Sequence, residues 1–314
     1  MSLNRLVAHV FGQCRILEVH PLTSGFRNTN LKIRLDKSAD WIVVRIYEHD
    51  ASLCQKEHDL IQLIGRSVPL PDVIHVEPRG LEEIPPFTVM RFVDGITLRE
   101  LMRSGDRNAT AQAVASVGET LAAIGRFTFP TSGWLSPGPT VTAALLEGAN
   151  PTPRFVDLCL ASPNLQPRIP AELRDRVHTL VWSWAPELAE LDSHACLVHG
   201  DFGKHNILVR RDQGRWSVAA VLDWEFAVSA SPLADLGHFL RYERASRPSA
   251  EPHFSAGFAR AGGTLPQKWQ PLARAVDLTA LCESLTHEPL PDDIVTELVE
   301  LIRATVGNRD PILP

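Results

Sequence analysis

The most informative part of the sequence reads HGDFGKHNILV at residues 199–209, and VLDWE follows it at residues 221–225. Apolar residues flank the polar loop, so the pattern predicts two short strands that hold the loop, the second of them running through a turn into a further strand. The loop offers Asp201 and, five positions later, Asn206, while the last strand ends at Asp223. Mg²⁺ on a nucleotide commonly takes one or two carboxylates together with phosphates. Phosphoryl transfer asks the protein mainly to position the reactants and to stabilise charge, which residues of this kind can do.

The spacing His-x-Asp-x-x-x-x-Asn matches the catalytic loop of protein kinases, except that Gly200 stands where those enzymes have Arg. His199-Gly200-Asp201 with Asn206, together with LDWEFAVSASPLADLGHFLRY at residues 222–242, resembles the aminoglycoside phosphotransferase and choline kinase family. The resemblance implies an α+β, bilobal protein-kinase-like fold, with a small β-rich N-terminal lobe and a larger, mainly helical C-terminal lobe.

The same resemblance implies a role for five residues of this region. Asp201 would be the catalytic base, and Asn206 and Asp223 would bind Mg²⁺. His199 would support the loop, and Asp235 would be a structural residue beneath it. The alternative for each is a turn or helix-cap role, which Asp and Asn often have.

The first ninety residues are expected to form strands at 16–22, 30–35, 41–47 and 86–95, and one helix at 51–64. Arg45 lies in the third strand, where the kinase pattern has a phosphate-contacting Lys, and Glu57 lies in the following helix, where that pattern has the carboxylate partner of the cation. An Arg can pair bidentately with phosphate or carboxylate. The alternatives are that Lys32 or Arg34 faces the phosphates and that Arg45 is a surface residue on an edge strand.

Two further segments of this part are candidates for nucleotide contact. Ser24 and Gly25 occupy the turn between the first two strands, the position of a glycine-rich loop, and backbone N–H groups there could contact phosphate. Met90 and Phe92 end the strand that leads into the second lobe, where kinase-like enzymes bind adenine through the backbone, although both side chains suit a core position equally well.

Beyond this strand, helices are expected at 97–104, 109–128 and 171–191 and over most of 233–306, with a Pro- and Gly-rich loop at 129–153. We therefore predict a nucleotide-binding lobe at residues 1–93 and a catalytic and substrate-binding lobe at residues 94–314.

Composition narrows the class of protein. The net charge is −6 and no basic stripe is visible, so we expect no nucleic-acid partner. No apolar stretch approaches about 20 residues, so we expect no membrane partner. Five widely spaced cysteines indicate reduced thiols and a cytoplasmic protein without a zinc site. No G-x-S-x-G or G-x-x-x-x-G-K-[ST] occurs, which argues against a serine hydrolase and a P-loop NTPase.

The cofactors expected are ATP (or GTP) and Mg²⁺, and the partner is a small-molecule hydroxyl acceptor; the oligomeric state stays open. An aminoglycoside-like antibiotic would need acidic partners, whereas Arg241, Arg244 and Arg247 would suit an anionic acceptor. A metabolic kinase for an amino alcohol, sugar or amino acid hydroxyl is the second hypothesis, and a nucleotide-binding module without catalysis is the third. The acidic candidates all lie in the last forty residues or so: Asp277, Glu283, Glu288, Asp292, Asp293, Glu297 and Glu300.

Overall fold

An antiparallel sheet with strand order β1-β2-β3-β5-β4 forms the N-terminal part of the chain. The computed structural model describes residues 3–22, 28–192, 195–243 and 248–307. The N-terminal elements are α1 (Leu3–Phe11), β1 (Ile16–Pro21), β2 (Thr29–Leu35), β3 (Trp41–Ile46), α2 (Ser52–Ile64), β4 (Val73–Glu77) and β5 (Phe87–Arg91).

The two faces of this sheet have different surroundings. Ile42, Val44 and Ile46 alternate along β3 and pack with Leu6 of α1 in one apolar cluster. Arg45 therefore points to the opposite face, which is the face turned towards the rest of the molecule. Helix α1 was not expected, because only one helix was predicted in this part of the sequence.

The remaining elements form a larger and mainly helical part, in which short strands carry the loops. They are β6 (Ile96–Thr97), α3 (Leu98–Arg103), α4 (Arg107–Ile124), β7 (Gly133–Ser136), β8 (Thr140–Ala143), α5 (Pro151–Leu160), α6 (Ala171–Ser183), α7 (Ala185–Asp192), β9 (Cys196–Val198), β10 (Ile207–Asp212), β11 (Arg215–Val221), β12 (Val228–Ala230), α8 (Leu233–Leu240), α9 (Glu251–Arg260), α10 (Trp269–Ser284) and α11 (Asp292–Gly307).

The segment at 129–153 is not the plain loop that its Pro and Gly content predicted. It contains the β7–β8 hairpin and the beginning of α5. Helix α5 has Pro within its first turn, at a position where the missing N–H costs no helix hydrogen bond. The expected helix at 171–191 is divided into α6 and α7 at Trp184.

Residues 92–95 join the two parts. Strand β6 pairs with β10 directly after this segment, at Leu208 with Thr97 and Val209 with Ile96. A Cβ at Gly95 would lie 2.8 Å from the Val209 carbonyl oxygen, so only glycine allows this close approach.

The expected α+β organisation is thus confirmed, with a small sheet-rich part preceding a larger helical part. Among the described residues, no helix combines the length and the apolar character that crossing a membrane requires.

Candidate active site

The loop at residues 199–206 connects β9 to β10 and depends on a glycine at its second position. Gly200 has φ +82°, and a Cβ there would lie 2.4 Å from the carbonyl oxygen of Phe226. Phe202 is fully buried and anchors the loop from inside, with its ring 6.1 Å from that of Phe239 in α8. The turn at Gly200 and the buried ring of Phe202 fix the backbone on both sides of Asp201, whose side chain is 26% exposed.

His199 is completely buried and bonds on both sides of its ring. Its Nδ1 accepts from the backbone N–H of Asp201 at 3.2 Å, and its Nε2 donates to the carbonyl oxygen of Leu222 at 2.9 Å. Burial lowers the pKa of His199 to about 4, so the ring is neutral at pH 7. The ring thereby ties the loop to the residue that precedes Asp223.

Asp235 lies in the first turn of α8 and holds the loop from below. Its Oδ2 accepts from the backbone N–H of His199 at 2.8 Å and its Oδ1 from that of Gly200 at 3.0 Å. The carboxyl group is 1% exposed, and burial raises its pKa to about 7. The position beneath the loop is the one the sequence predicted for this residue.

Three contacts fix the carboxylate of Asp201, and a fourth is made to its backbone oxygen. The Nδ2 of Asn206 donates to its Oδ2 at 2.8 Å and to its backbone oxygen at 3.0 Å. The Nε2 of His205 lies 3.4 Å from Oδ2, and the Nε2 of His238, in α8, lies 3.1 Å from Oδ1. Burial by itself would raise the pKa of Asp201, but the hydrogen bonds from His205 and His238 outweigh it and hold the pKa far below its usual range. The carboxylate is ionised at any physiological pH.

Asp223 is brought next to this loop by backbone pairing. The N–H of Leu222 donates to the carbonyl oxygen of Asn206 at 2.8 Å, and Asp223 follows with φ +66°. Left-handed backbone is uncommon for a residue other than glycine, and such residues concentrate at functional sites. The Oδ1 of Asp223 accepts from Nη2 of Arg45 at 2.7 Å, which joins the two parts of the molecule.

Arg45 is the centre of a buried ion cluster. Its Nη2 also contacts Glu57 Oε1 at 3.1 Å and Glu225 Oε2 at 3.3 Å, and Tyr47 donates to Glu57 Oε2 at 2.9 Å. Burial alone would lower the pKa of Arg45, but Glu57 and Asp223 raise it. Burial raises the pKa of Glu57 to about 7. Because β3 lies between β2 and β5 and Arg45 is 7% exposed, the interpretation of Arg45 as a surface residue on an edge strand is wrong.

The structure shows where two of the other residues predicted for the nucleotide site lie. Met90 alternates with the buried Val89 on β5 and therefore shares the face that carries Arg45. Phe92 donates its N–H to the carbonyl oxygen of Trp41 at 2.9 Å, and its ring lies 3.6 Å from Nζ of Lys32. Ser24 and Gly25 lie outside the described residues.

Four contact residues were not identified from the sequence. Glu225 accepts from Asn28 Nδ2 at 2.7 Å, and its backbone oxygen accepts from Lys56 Nζ at 2.9 Å. His238 follows Asp235 by three residues, so both lie on the helix face towards the loop. That spacing is the one sequence signal that could have indicated His238, and Glu225 could have been suspected from its position two residues after Asp223. Asn28 and Lys56 gave no such signal.

Four of the acidic candidates for acceptor binding already have partners, among them Glu283, whose Oε1 lies 3.6 Å from Nε2 of His287. Asp277 forms two hydrogen bonds with Arg241, at 2.9 and 2.6 Å. Glu288 pairs with Arg168 at 2.6 Å, and Glu297 accepts from the hydroxyl of Tyr242 at 2.6 Å. Arg244 and Arg247 lie outside the described residues.

Solved structures of aminoglycoside phosphotransferases share this architecture over nearly the whole chain. The GDP complex of aminoglycoside 2'-phosphotransferase-IIIa has a TM-score of 0.71 and 18% identity, covering 98% of each chain. A thermostable mutant of APH(4)-Ia, in ternary complex with AMP-PNP and hygromycin B, has a TM-score of 0.69 and 20% identity, again covering 98% of each chain. The expected kinase-like fold is confirmed by these similarities.

Curated relatives match over a short segment only. Acyl-CoA dehydrogenase family member 11 of Mus musculus is 49% identical over 51 residues, which is 16% of this chain and 6% of that protein. The protein of the same name from Rattus norvegicus is 47% identical over 51 residues, again 16% of this chain and 6% of its own length. The chain thus spans a small fraction of the length of these relatives.

A family model gives the broadest match in sequence. The model described as "Phosphotransferase enzyme family" covers residues 18–273, well over half of the 314 residues. The chain therefore belongs to the phosphotransferase enzyme family.

Proposed function

We propose that this protein transfers the γ-phosphoryl group of ATP or GTP to a hydroxyl of a small molecule, with Asp201 as the base. The observation that carries the proposal is the joining of three segments by His199 and Asn206. The ring of His199 bonds to Asp201 N–H and to Leu222 C=O, and Asn206 bonds to the Asp201 carboxylate and to Leu222 N–H. The base and both proposed Mg²⁺ ligands therefore belong to one rigid unit.

In the proposed reaction the oxygen of the acceptor hydroxyl forms a bond to the γ-phosphorus. The bond from that phosphorus to the β–γ bridging oxygen breaks, and the nucleoside diphosphate leaves. The hydroxyl proton passes to the carboxylate of Asp201. This residue is ionised, so it carries no proton of its own, and it is partly exposed, so an acceptor can reach it.

The residues present fit a hard divalent cation. Asn206 and Asp223 would hold Mg²⁺ through an amide oxygen and a carboxylate oxygen, the kind of ligand atom that this ion prefers. Carboxylate oxygens of Glu57, Asp223 and Glu225 lie within 4.8 Å of one another, which gives the site an excess of negative charge around a single guanidinium. When bound, the ion would neutralise charge on the phosphate oxygens.

The nucleotide would lie against the sheet face that carries Arg45. We assign residues 1–93 to this binding lobe and residues 94–314 to the catalytic and acceptor-binding lobe. Arg45 and Glu57 would orient the phosphates, because the guanidinium is already held in place by Glu57 and Asp223. Met90 and Phe92 would border the base, and Ser24 with Gly25 would cover the phosphates.

The acceptor class has two candidates. The structural neighbours include complexes with hygromycin B and with kanamycin, which supports an aminoglycoside-like acceptor. Two observations support a metabolic acceptor without several amino groups. Asp277 is already paired with Arg241, and the carboxylate of Asp201 already has two histidines as partners.

The test is ADP release in the presence of Mg²⁺ and ATP, with kanamycin, hygromycin B, choline, serine and hexoses as acceptors. The proposal expects at least one hydroxyl compound to stimulate release and to become a phosphate ester. In Asp223→Ala, we expect the Mg²⁺ titration curve to flatten. An Asp223→Ala curve equal to that of the wild type would exclude Asp223 as a ligand. Nucleotide binding without release for any acceptor would favour a binding module.

A further inference from the structure

Two histidines from different elements converge on the carboxylate of Asp201. His205 belongs to the loop itself, and His238 belongs to the last turn of α8. The contact of His238 Nε2 with Asp201 Oδ1 is 3.1 Å, and the His238 side chain is 18% exposed. The contact of His205 Nε2 with Oδ2 is 3.4 Å, and that side chain is 40% exposed. His238 is therefore the closer and the more firmly enclosed of the two.

The second ring nitrogen of His238 determines its tautomer. Nη2 of Arg241 lies 3.3 Å from His238 Nδ1. A guanidinium has only donors, so Nδ1 must act as the acceptor and carries no proton. The ring proton is then on Nε2, from which it is donated to Asp201.

The position of Arg241 is itself fixed by Asp277. Its Nε and Nη2 donate to the two carboxylate oxygens of Asp277, in α10, at 2.9 and 2.6 Å. The side chains of Arg241 and Asp277 are 11% and 6% exposed, and a bidentate pair of this kind has a well-defined geometry. A continuous chain of contacts thus runs from α10 through Arg241 and His238 to the base.

The contacts on Asp201 also distinguish its two oxygens. Among the described residues, Oδ2 has contacts with Asn206 Nδ2 and His205 Nε2, whereas Oδ1 has a contact with His238 alone. Each carboxylate oxygen offers about two lone-pair positions. Oδ1 is therefore the oxygen with a position left for the proton of an acceptor, and His238 determines where that position points.

We propose that His238, held by Arg241 and Asp277, is a positioning residue that aims Oδ1 of Asp201 at the acceptor hydroxyl. The proposal rests on the proposed function of Asp201 as the base. According to this proposal, the Arg241–Asp277 pair helps to position the base and does not bind the acceptor. Within the described part of the chain, the charged groups in direct contact with the His238 ring are Asp201 and Arg241.

The first test needs no acceptor. Imidazole ¹⁵N NMR spectra of the full chain report the protonated nitrogen of each histidine, and His238→Gln identifies the signal of His238 by its loss. We expect the Nε2–H tautomer at pH 7. An Nδ1–H tautomer or an imidazolium would overturn the proposal, because Arg241 could not then donate to Nδ1.

The second test compares two substitutions of His238, Gln and Asn, whose side-chain amides differ in length. The amide nitrogen of Gln extends to the position of Nε2, whereas that of Asn extends only to Nδ1. We expect kcat of His238→Asn to fall about 10- to 100-fold with KM values little changed, because misplacement of a reacting group by about 1 Å can cost a factor of about 100. His238→Gln is expected to stay within about threefold of the wild type, since its hydrogen bond is retained. The assay is ADP release with the most effective acceptor of the panel above.

Controls separate positioning from folding and from the proposed function itself. Thermal unfolding should give similar midpoints for His238→Asn and His238→Gln, and the surface variant His287→Gln should keep wild-type kcat. Equal kcat values for the Asn and Gln variants would overturn the positioning role. If His238→Asn is impaired but Asp201→Asn is not, the function proposed for Asp201 fails. If Asp201→Asn is inactive and His238→Ala is not impaired, only the positioning role fails.

Discussion

Acidification should destabilise the protein through one buried ring, that of His199. This side chain has no exposed surface, and both nitrogens are bonded in a way that only the neutral tautomer satisfies. Its pKa in the folded protein is about 4, against 6.5 for an ordinary histidine. Between these two values the unfolded chain binds a proton that the folded protein does not. The free energy of unfolding must therefore fall as the pH is lowered through this range.

The magnitude follows from the interval of pH. One pH unit corresponds to about 1.4 kcal/mol per proton, so lowering the pH from 6.5 to 5 should remove about 2 kcal/mol through His199. Other groups also titrate in this range, and a comparison with His199→Gln cancels them. We expect the free energy of unfolding of the wild type, relative to this variant, to decrease by about 2 kcal/mol from pH 7 to pH 5.

The assay is equilibrium unfolding in urea at the two pH values. His287→Gln is the matched control, since His287 is on the surface with a half-exposed side chain and the chemical change is the same. If the difference between the wild type and His199→Gln were the same at pH 7 and pH 5, His199 would not be held neutral. The account of how it joins the loop to Leu222 would then be wrong.

Three further substitutions test the supports of the site. Gly200→Ala should cost about 1–2 kcal/mol of stability because of the left-handed backbone, and more because of the clash with Phe226, and ADP release should fall strongly. Wild-type stability together with wild-type ADP release would contradict the turn geometry. Asp235→Asn places an amide donor against a buried N–H and should cost about 1–3 kcal/mol in urea unfolding, whereas an unchanged midpoint would mean that the loop does not depend on this carboxylate. Arg45→Met removes the cation from two buried carboxylates and from the partly exposed Asp223, so we expect a loss of about 3–5 kcal/mol at pH 7 and weaker nucleotide binding by calorimetry; normal nucleotide binding would exclude Arg45 from the phosphate site.

The sequence was most informative where the site is local. The spacing of Asp201, Asn206 and Asp223 predicts that they lie close together, because one loop and one hairpin hold them within 25 residues. Arg45 and Glu57 could be predicted as partners because a strand followed by a helix gives a recurrent geometry, and the structure places them 3.1 Å apart.

Contacts between distant segments could not be derived in this way. His238 reaches Asp201 because α8 packs beneath the loop, and Arg241 meets Asp277 because α10 packs against α8. Such contacts depend on helix packing that no local pattern encodes. Helix α5 was missed for a different reason, since a Pro in a first helical turn has the same sequence signature as a loop.

The proposed role of Asp201 as the base of a phosphoryl transfer can be tested with the substitution Asp201→Asn. The substitution keeps the shape of the side chain and removes its ability to take a proton. The measurement is kcat for ADP release with the most effective acceptor, together with nucleotide affinity by calorimetry. We expect kcat to fall by a factor of about 100 to 10,000 while nucleotide affinity is largely kept. Turnover near that of the wild type would contradict the claim.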